Sequence, residues 1–409
     1  MTLVRQLAWR YLRGKRSGNA VPVLSRISMA AIAVGAAAMV VLFSVFNGFE
    51  HLIKDLYKAF YPPIKITAAK GKFFALHDTQ LDAVRNTNGV QYISRVIEDN
   101  VWLTANDEEA LATLKGIDAV YAKVNELEPY VFEGNATVSD SPFATTIVGL
   151  HIANKLGLQP NNVFSKLQVY YPNPKIENPV LNPTEALQSK LFSVDGVFRV
   201  QDEFDSRYVI ASLSGVQSLF LQEGRYSSLE ISTLPGTNTE KLKELLQKLL
   251  GSNYVVATRF EQNRTLYMVM KTEKWAVYAI LLLVLIIASF NMVGALTLLV
   301  IEKQKDIAIL KAMGATGNSI RKIFFVEGVL WALIGGGMGI LIGTLLCLGQ
   351  QHFEWIRLQG AFIIEAYPVA MKPADVLLII ATVVVLGLLA AWYPARRATK
   401  VQDPSLKAN

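Results

Sequence analysis

The sequence predicts an α-helical membrane protein with four transmembrane helices plus a large mixed α/β extracytoplasmic domain between spans 1 and 2. Three observations carry that prediction. The 409 residues are 52% hydrophobic and only 18% charged, with a mean hydropathy of +0.32. That is too apolar for an ordinary soluble domain and too polar for a chain lying wholly in the bilayer. Four segments, Ile27–Gly48, Trp275–Ile301, Val329–Phe353 and Val376–Ala395, contain no Asp, Glu, Lys or Arg. Each is close to or above the roughly 20 apolar residues a helix needs to cross hydrocarbon. The positive charge gathers in the short segments that flank them.

Residues 1–26 form the first of these, with six Lys/Arg and no acid. Within it Leu3, Val4, Leu7, Ala8, Tyr11 and Leu12 share one helical face opposite Arg5, Arg10 and Arg13, the pattern of a helix lying on a membrane surface. The first span, 27–48, is too long for the apolar core of a cleavable signal peptide. Residues 302–323 carry five basic and two acidic residues, and the tail 396–409 four and one. Residues 49–274 instead hold 23 basic and 26 acidic. Basic loops stay on the cytoplasmic side, so both termini and 302–323 are expected inside and 49–274 outside. The pI near 9.2 is therefore a topology signal, and nucleic acid is excluded as a partner.

After Gly48 the helical period continues through Leu52, Ile53, Leu56 and Phe60 until Pro62-Pro63, and it resumes near Phe260 before the second span. Spans 1 and 2 thus extend beyond the membrane as stalk helices. Between them, strand-like runs occur at Ile64–Ala68, Val90–Leu103, Thr145–Leu150, Leu167–Tyr171, Phe192–Val200 and Ser228–Ser232. TEKLKELLQKLL (239–250) reads as an amphipathic helix with Thr239 as N-cap and Gly251 past its end. The domain is expected as two lobes, the inserted one at about 121–215. Pro172, Pro174, Pro179 and Pro183 punctuate a stretch with no apolar period, which suits an exposed arm. The remaining elements are spans at 275–301, 324–353 and 376–395 and a short outer loop at 354–375.

Much chemistry is missing. Charge-free spans lack the ionisable groups of ion-coupled transporters. No phosphate-binding G-x-x-x-x-G-K-[ST] loop occurs, so the chain is not expected to bind nucleotide or act as an enzyme. LSGVQ (213–217) resembles an ABC ATPase signature, but Val216 stands where its second glycine belongs. His51, His77, His151 and His352 show no ligand spacing. The acidic group Asp202, Glu203 and Asp205 lacks the glycine and terminal acid of a calcium loop and reads as a solvated turn. Cys347 is the only cysteine, so no disulfide or thiolate metal site is expected. In the third span Gly335, Gly339 and Gly343 form two overlapping G-x-x-x-G units, which let helix backbones approach closely.

Glu302–Met313 fits three helical turns, ended by Gly314 in a left-handed conformation, with Thr316 or Asn318 capping the helix that follows. Its lysines set topology, but Ile307, Ile309, Leu310 and Met313 exceed what a solvated loop needs. An exposed helix of this kind at the foot of two spans suits docking onto a cytoplasmic partner.

At these residues a resemblance emerges. FNMVGALTLLVIEKQKDIAILKAMGAT (290–316) resembles the second-span and coupling-helix signature of permeases related to the MacB and FtsX proteins. SVFNGFE (44–50) and WYPARRATKVQDPSLKA (392–408) are similar to motifs of the lipoprotein-releasing, Lol-type members, as are 147–162 and 192–213. The resemblance implies a non-catalytic permease subunit in a bacterial inner membrane. It implies pairing with a second permease, identical or homologous, and with two copies of a cytoplasmic ABC ATPase that binds ATP and Mg. Glu302, Lys303, Lys305, Asp306, Ile307, Leu310, Lys311 and Gly314 would couple to that ATPase, and motion would pass through the stalk. The cargo would be a lipoprotein handed to a periplasmic carrier. Its acyl chains would meet Met39, Val40, Phe43, Phe46, Leu285 and Ile286, and the proline-rich arm would meet the carrier. Two other readings of the same resemblance are an FtsX-like signalling permease controlling cell-wall hydrolases and a MacB-like efflux permease. The motif NGFE after the first span and the long outer domain favour lipoprotein release.

Overall fold

The computed structural model describes residues 21–139, 144–160, 162, 165–174, 176, 186–357 and 366–399. The expected surface helix at 3–12, Pro179 and Pro183 of the arm, and the tail from 400 lie outside the described residues. The chain divides into a helical unit and a second unit, Ile53–Tyr267. Among the described residues, four helices are long and apolar enough to cross a membrane. They are Val21–Tyr57, Arg264–Glu302, Gly317–Phe353 and Pro373–Ala398. The first continues past Gly48 as its period predicts. The second begins after an interruption at Asn263.

Glycine decides how the helical unit packs. A Cβ at Gly335 would stand 2.6 Å from the Met29 carbonyl oxygen, one at Gly339 would overlap the Ala33 carbonyl, and one at Gly343 would lie 3.0 Å from the Ala37 carbonyl. The four-residue step in the third helix is matched by the same step in the first, so these two helices run parallel with backbones in contact. On other faces, Gly328 meets Ala391, Gly336 meets Val383, and Gly387 meets Ala332. As position rises in the third helix it falls in the fourth, so this pair is antiparallel. The apolar core between the helices includes Met39, Phe43, Leu285, Met292, Trp331 and Ala391.

The second unit is built on one ten-stranded sheet. Its strands are β1 (Ile64–Ala68), β2 (Val90–Ala105), β3 (Glu108–Ile117), β4 (Val131–Gly134), β5 (Thr145–Gly149), β6 (Lys166–Pro172), β7 (Leu187–Phe198), β8 (Tyr208–Ser212), β9 (Ser228–Thr233) and β10 (Tyr254–Thr258). Their order is β10-β1-β9-β2-β3-β8-β5-β7-β4, with β6 pairing β2 and β7. Only β3/β8 and β5/β7 are parallel. The expected separate lobe at 121–215 does not form. Its strands β5, β7 and β8 continue the sheet from β3, and parallel pairing of β3 with β8 removes any seam.

Inside this unit, Lys115 on β3 and Glu230 on β9 are both buried and 2.8 Å apart. The amide of Asn125 donates to the other Glu230 oxygen. Burial alone would lower the Lys115 ammonium, but Glu230 beside it raises it well above the ordinary lysine value. Next to this pair Lys65 donates to Glu98 at 2.8 Å. Burial pushes the Glu98 carboxyl up, yet Lys65 and then Lys115 hold it at about 2.

Two local expectations need correction, and LSGVQ gains a structural role. The helix Thr239–Leu250 is capped by Asn238, whose side chain accepts from the Glu240 and Lys241 amides at 3.1 Å, so the cap is one residue earlier than Thr239. Asp202, Glu203 and Asp205 form a short helix rather than a fully solvated turn. Asp205 is buried there, accepting from the Val200 amide at 2.8 Å. LSGVQ opens the helix Leu213–Phe220 capped by Ser212, with Val216 against Gly116 of β3, so its residues serve packing.

Candidate functional site

Two places in the helical unit concentrate polar structure, one at each end of its helices. The first gathers around Asn47, Gly48, Phe49 and Glu50 of the first helix. Asn47 is buried, and its carboxamide is used at both atoms. The oxygen accepts from Lys274 Nζ at 3.0 Å, and the nitrogen donates to Asp375 Oδ2 at 2.6 Å. Lys274, in the second helix, also donates to both oxygens of Asp375 at 2.9 Å and lies 5.3 Å over the Phe43 ring. Asp375 belongs to the first turn of the fourth helix, where a carboxylate is favoured by the helix dipole. Three helices are therefore joined through one amide and one ion pair.

Neighbouring residues extend the knot. A side chain at Gly48 would overlap the Pro368 carbonyl, so glycine here admits the loop backbone, which is secured by the Ala370 amide donating to the Ser44 carbonyl at 2.8 Å. Phe49 meets Tyr367 edge-on at 5.1 Å. Lys372 donates to Glu50 at 2.6 Å. Gln351 reaches the Val369 carbonyl at 2.7 Å. Each residue of the NGFE motif thus holds a particular neighbour. The family resemblance marks NGFE as a motif without indicating Lys274 or Asp375, which come from distant parts of the chain.

The second place is the elbow after the second helix. That helix ends at Glu302, and after a break at Lys303 a short helix runs from Gln304 to Ala312. Lys303 pairs with Asp306 at 3.2 Å. Gly314 has φ +92° with open space around an added Cβ, so the need is conformational. The Ala315 amide donates to the Leu310 carbonyl at 2.9 Å, the closing bond of a Schellman turn. Thr316 then caps the third helix by accepting from the Ser319 amide at 3.3 Å.

The elbow agrees with the helix, stop and cap expected from the sequence but redistributes its apolar residues. Ile307 is 1% exposed and belongs to the core of the helical unit, so it anchors the elbow and is not available for docking. Leu310 is half-buried. Ile309 and Met313 are 58% and 71% exposed, and four residues apart they share one helical face. Lys305 and Lys311 are exposed beside them.

The residues expected to meet acyl chains are mostly turned inward. Met39, Val40, Phe43 and Leu285 are buried between this chain's own helices, and Phe46 and Ile286 are half-buried. The second helix instead exposes Ile280, Leu283, Val284, Ile287 and Phe290, one stripe at helical spacing. Gly335, Gly339 and Gly343 pack as described above. Pro172 ends β6 and Pro174 follows it, both exposed, and the arm's base is closed by the Asn173 amide donating to the Ala186 carbonyl at 2.9 Å. Among the described residues no group of His, Cys, Asp and Glu could hold a metal ion.

Comparison with known proteins places this geometry. Residues 25–249 match the family model of the MacB-like periplasmic core domain, and residues 278–402 that of the FtsX-like permease C-terminal domain. A lipoprotein-releasing system transmembrane protein LolE from Haemophilus influenzae is 24% identical, covering 97% of both chains. LolC proteins of the same system are similar at 26% identity in Neisseria meningitidis, over 97% of both chains, and at 25% in Xylella fastidiosa, over 96% of this chain and 95% of that one. The first match covers the first helix and the sheet unit through β9, and the second covers most of the second helix, the elbow and the third and fourth helices. The chain belongs to the family of permeases that join a MacB-like periplasmic core domain to an FtsX-like C-terminal domain.

Proposed function

We propose that this chain is a permease subunit of an ABC transporter that releases lipoproteins from a bacterial inner membrane. The observation that carries the reading is similarity to lipoprotein-releasing relatives along nearly the whole chain, sheet unit and helices together. Both termini and the elbow face the cytoplasm, and the sheet unit lies in the periplasm, as the basic segments favour. ATP is hydrolysed in a separate subunit, two copies of which bind one permease pair with Mg. The elbow helix is the docking element, with Ile309 and Met313 as its apolar contacts and Lys305 and Lys311 beside them.

The knot gives such docking a mechanical consequence. Movement of the elbow acts on the second and third helices, and at their far end Asn47, Lys274 and Asp375 tie the first, second and fourth helices to respond as one block. A rigid-body mechanism of this kind needs no ionisable path through the bilayer. The second permease and the lipoprotein's acyl chains meet the stripe Leu283, Ile287 and Phe290. The arm at Pro172 and Pro174 meets a periplasmic carrier.

The test replaces the gene by an Ile309→Asp/Met313→Asp variant and follows lipoprotein sorting. The expected result is normal membrane insertion, loss of ATPase co-purification, and outer-membrane lipoproteins retained in the inner membrane. Normal sorting on outright depletion of the protein would overturn lipoprotein release, and undiminished ATPase binding by the variant would overturn the docking face.

A further inference from the structure

Beside the elbow, a cavity of about 770 Å³ opens between the start of the third helix and the end of the fourth, lined by Asn318, Arg321, Trp392, Tyr393, Arg396 and Arg397 among others. The antiparallel packing of these helices brings the two ends together, so that a Cβ added at Gly317 would lie 3.9 Å from the Thr399 side chain. Among the described residues, the cavity lining contains three guanidinium groups and no carboxylate. Among the described residues none of the three arginines has a carboxylate partner. Arg396 instead lies 3.9 Å over the Trp392 ring.

Basic residues in a last helical turn are ordinary, since they offset the dipole there. That accounts for Arg396 and Arg397, and the positive-inside bias accounts for Arg321, but neither accounts for an open cavity walled by two aromatic rings. The fourth helix supplies the deciding pattern. Val385, Leu389, Trp392 and Arg396 lie on one face at helical spacing, and Val385, Leu389 and Trp392 are 53%, 65% and 50% exposed. Along that face the order is aliphatic, aromatic, then cationic. A phospholipid standing in the leaflet presents acyl chains, glycerol and phosphate in the same order, and Trp and Tyr mark the boundary between them.

We propose that this cavity binds the phosphodiester headgroup of an anionic phospholipid of the phosphatidylglycerol type. Arg321, Arg396 and Arg397 hold the phosphate, and the acyl chains run along Leu389 and Val385. The inference rests on the helices crossing the membrane and is independent of the cargo. A free phosphate ion would use the arginines but gain nothing from the apolar stripe. An acidic protein segment would have no use for a stripe buried in lipid.

The full chain in nanodiscs of mixed phosphatidylglycerol and phosphatidylcholine is released into a native mass spectrometer, and retained lipids are counted. Wild type is expected to keep phosphatidylglycerol in preference to phosphatidylcholine. The R321Q/R396Q/R397Q variant should bind it on the order of a hundred-fold more weakly, while K305Q/K322Q, which removes charge at the same end outside the cavity, should match wild type. Equal retention in the cavity variant, or an equal loss in the lysine control, would overturn the site. Displacement of the lipid by millimolar inorganic phosphate would overturn the lipid as its occupant. A second measurement leaves the arginines in place. Brominated phosphatidylglycerol should quench the emission assigned to Trp392, as the difference between wild type and W392F, more than brominated phosphatidylcholine does; equal quenching counts against the proposal.

Discussion

The helical unit and the sheet unit solve the same packing problem in different solvents. In the sheet unit water drives apolar side chains together, and a core of three buried apolar clusters also holds a charge pair, Lys115 and Glu230. Lipid gives helices no such drive, so the helical unit relies on close backbone approach at Gly335, Gly339 and Gly343. Its ion pair between Lys274 and Asp375 stands at the helix ends and is partly exposed. Removing side-chain volume would weaken the sheet unit, whereas adding it would break the helical one.

The largest effect is expected from Gly339→Leu. What the new side chain meets is the Ala33 backbone, which cannot rotate away, so the cost exceeds the roughly 1–3 kcal/mol of ordinary overpacking. Gly337→Leu, two residues along the same helix with nothing within 4 Å of an added Cβ, is the matched control. The yield of detergent-stable, protease-resistant protein should collapse for the first and hold for the second. Equal yields would mean that the glycine step is mere composition.

A smaller loss is expected in the sheet unit from Lys115→Met. It leaves Glu230 and Asn125 facing each other in a dry core, and breaking a buried pair in this way costs about 3–5 kcal/mol. The double variant Lys115→Met/Glu230→Met should recover much of that, because two apolar side chains of similar volume satisfy the same space. Chemical denaturation of the purified chain reads the difference. If the double variant is as unstable as the single one, the pair contributes attraction rather than merely mutual tolerance.

The contrast between units also explains what the sequence made legible. Charge-free runs and the four-residue glycine step are local patterns, so the spans, the continuation of the first past Gly48 and the close helix face are readable. Sidedness within a span is not. Met39, Val40, Phe43 and Leu285 are apolar among apolar neighbours, and nothing local separates a residue facing a helix from one facing lipid. Ile307 is hidden for the same reason. In the sheet unit β3 was hidden because EEALATL is made of good helix formers. The usable signal was the turn before it, Asn106-Asp107, whose φ values of 49° and 63° make the two-residue hairpin that joins β2 to β3. The knot was invisible because Asn47, Lys274 and Asp375 meet only after folding.

The smallest effect separates the units by pH. Asp205 sits under the sheet with its carboxyl accepting from the Val200 amide, and around it His151 favours the ionised form while Asp202 opposes it. Burial outweighs the amide bonds and raises the carboxyl from 3.8 to about 6. The folded state therefore binds this proton more tightly than the unfolded chain does. Its contribution is fully present below about pH 3.8 and is lost as pH rises through about 6. Asp205→Asn keeps the oxygen that accepts from Val200 and removes the titration. Thermal unfolding of the two purified proteins, followed from pH 4 to pH 7, should show wild type losing stability relative to the variant across that window. Parallel curves would mean that Asp205 keeps enough water to ionise freely, and that the sheet unit tolerates this charge as readily as the helical unit tolerates those at its ends.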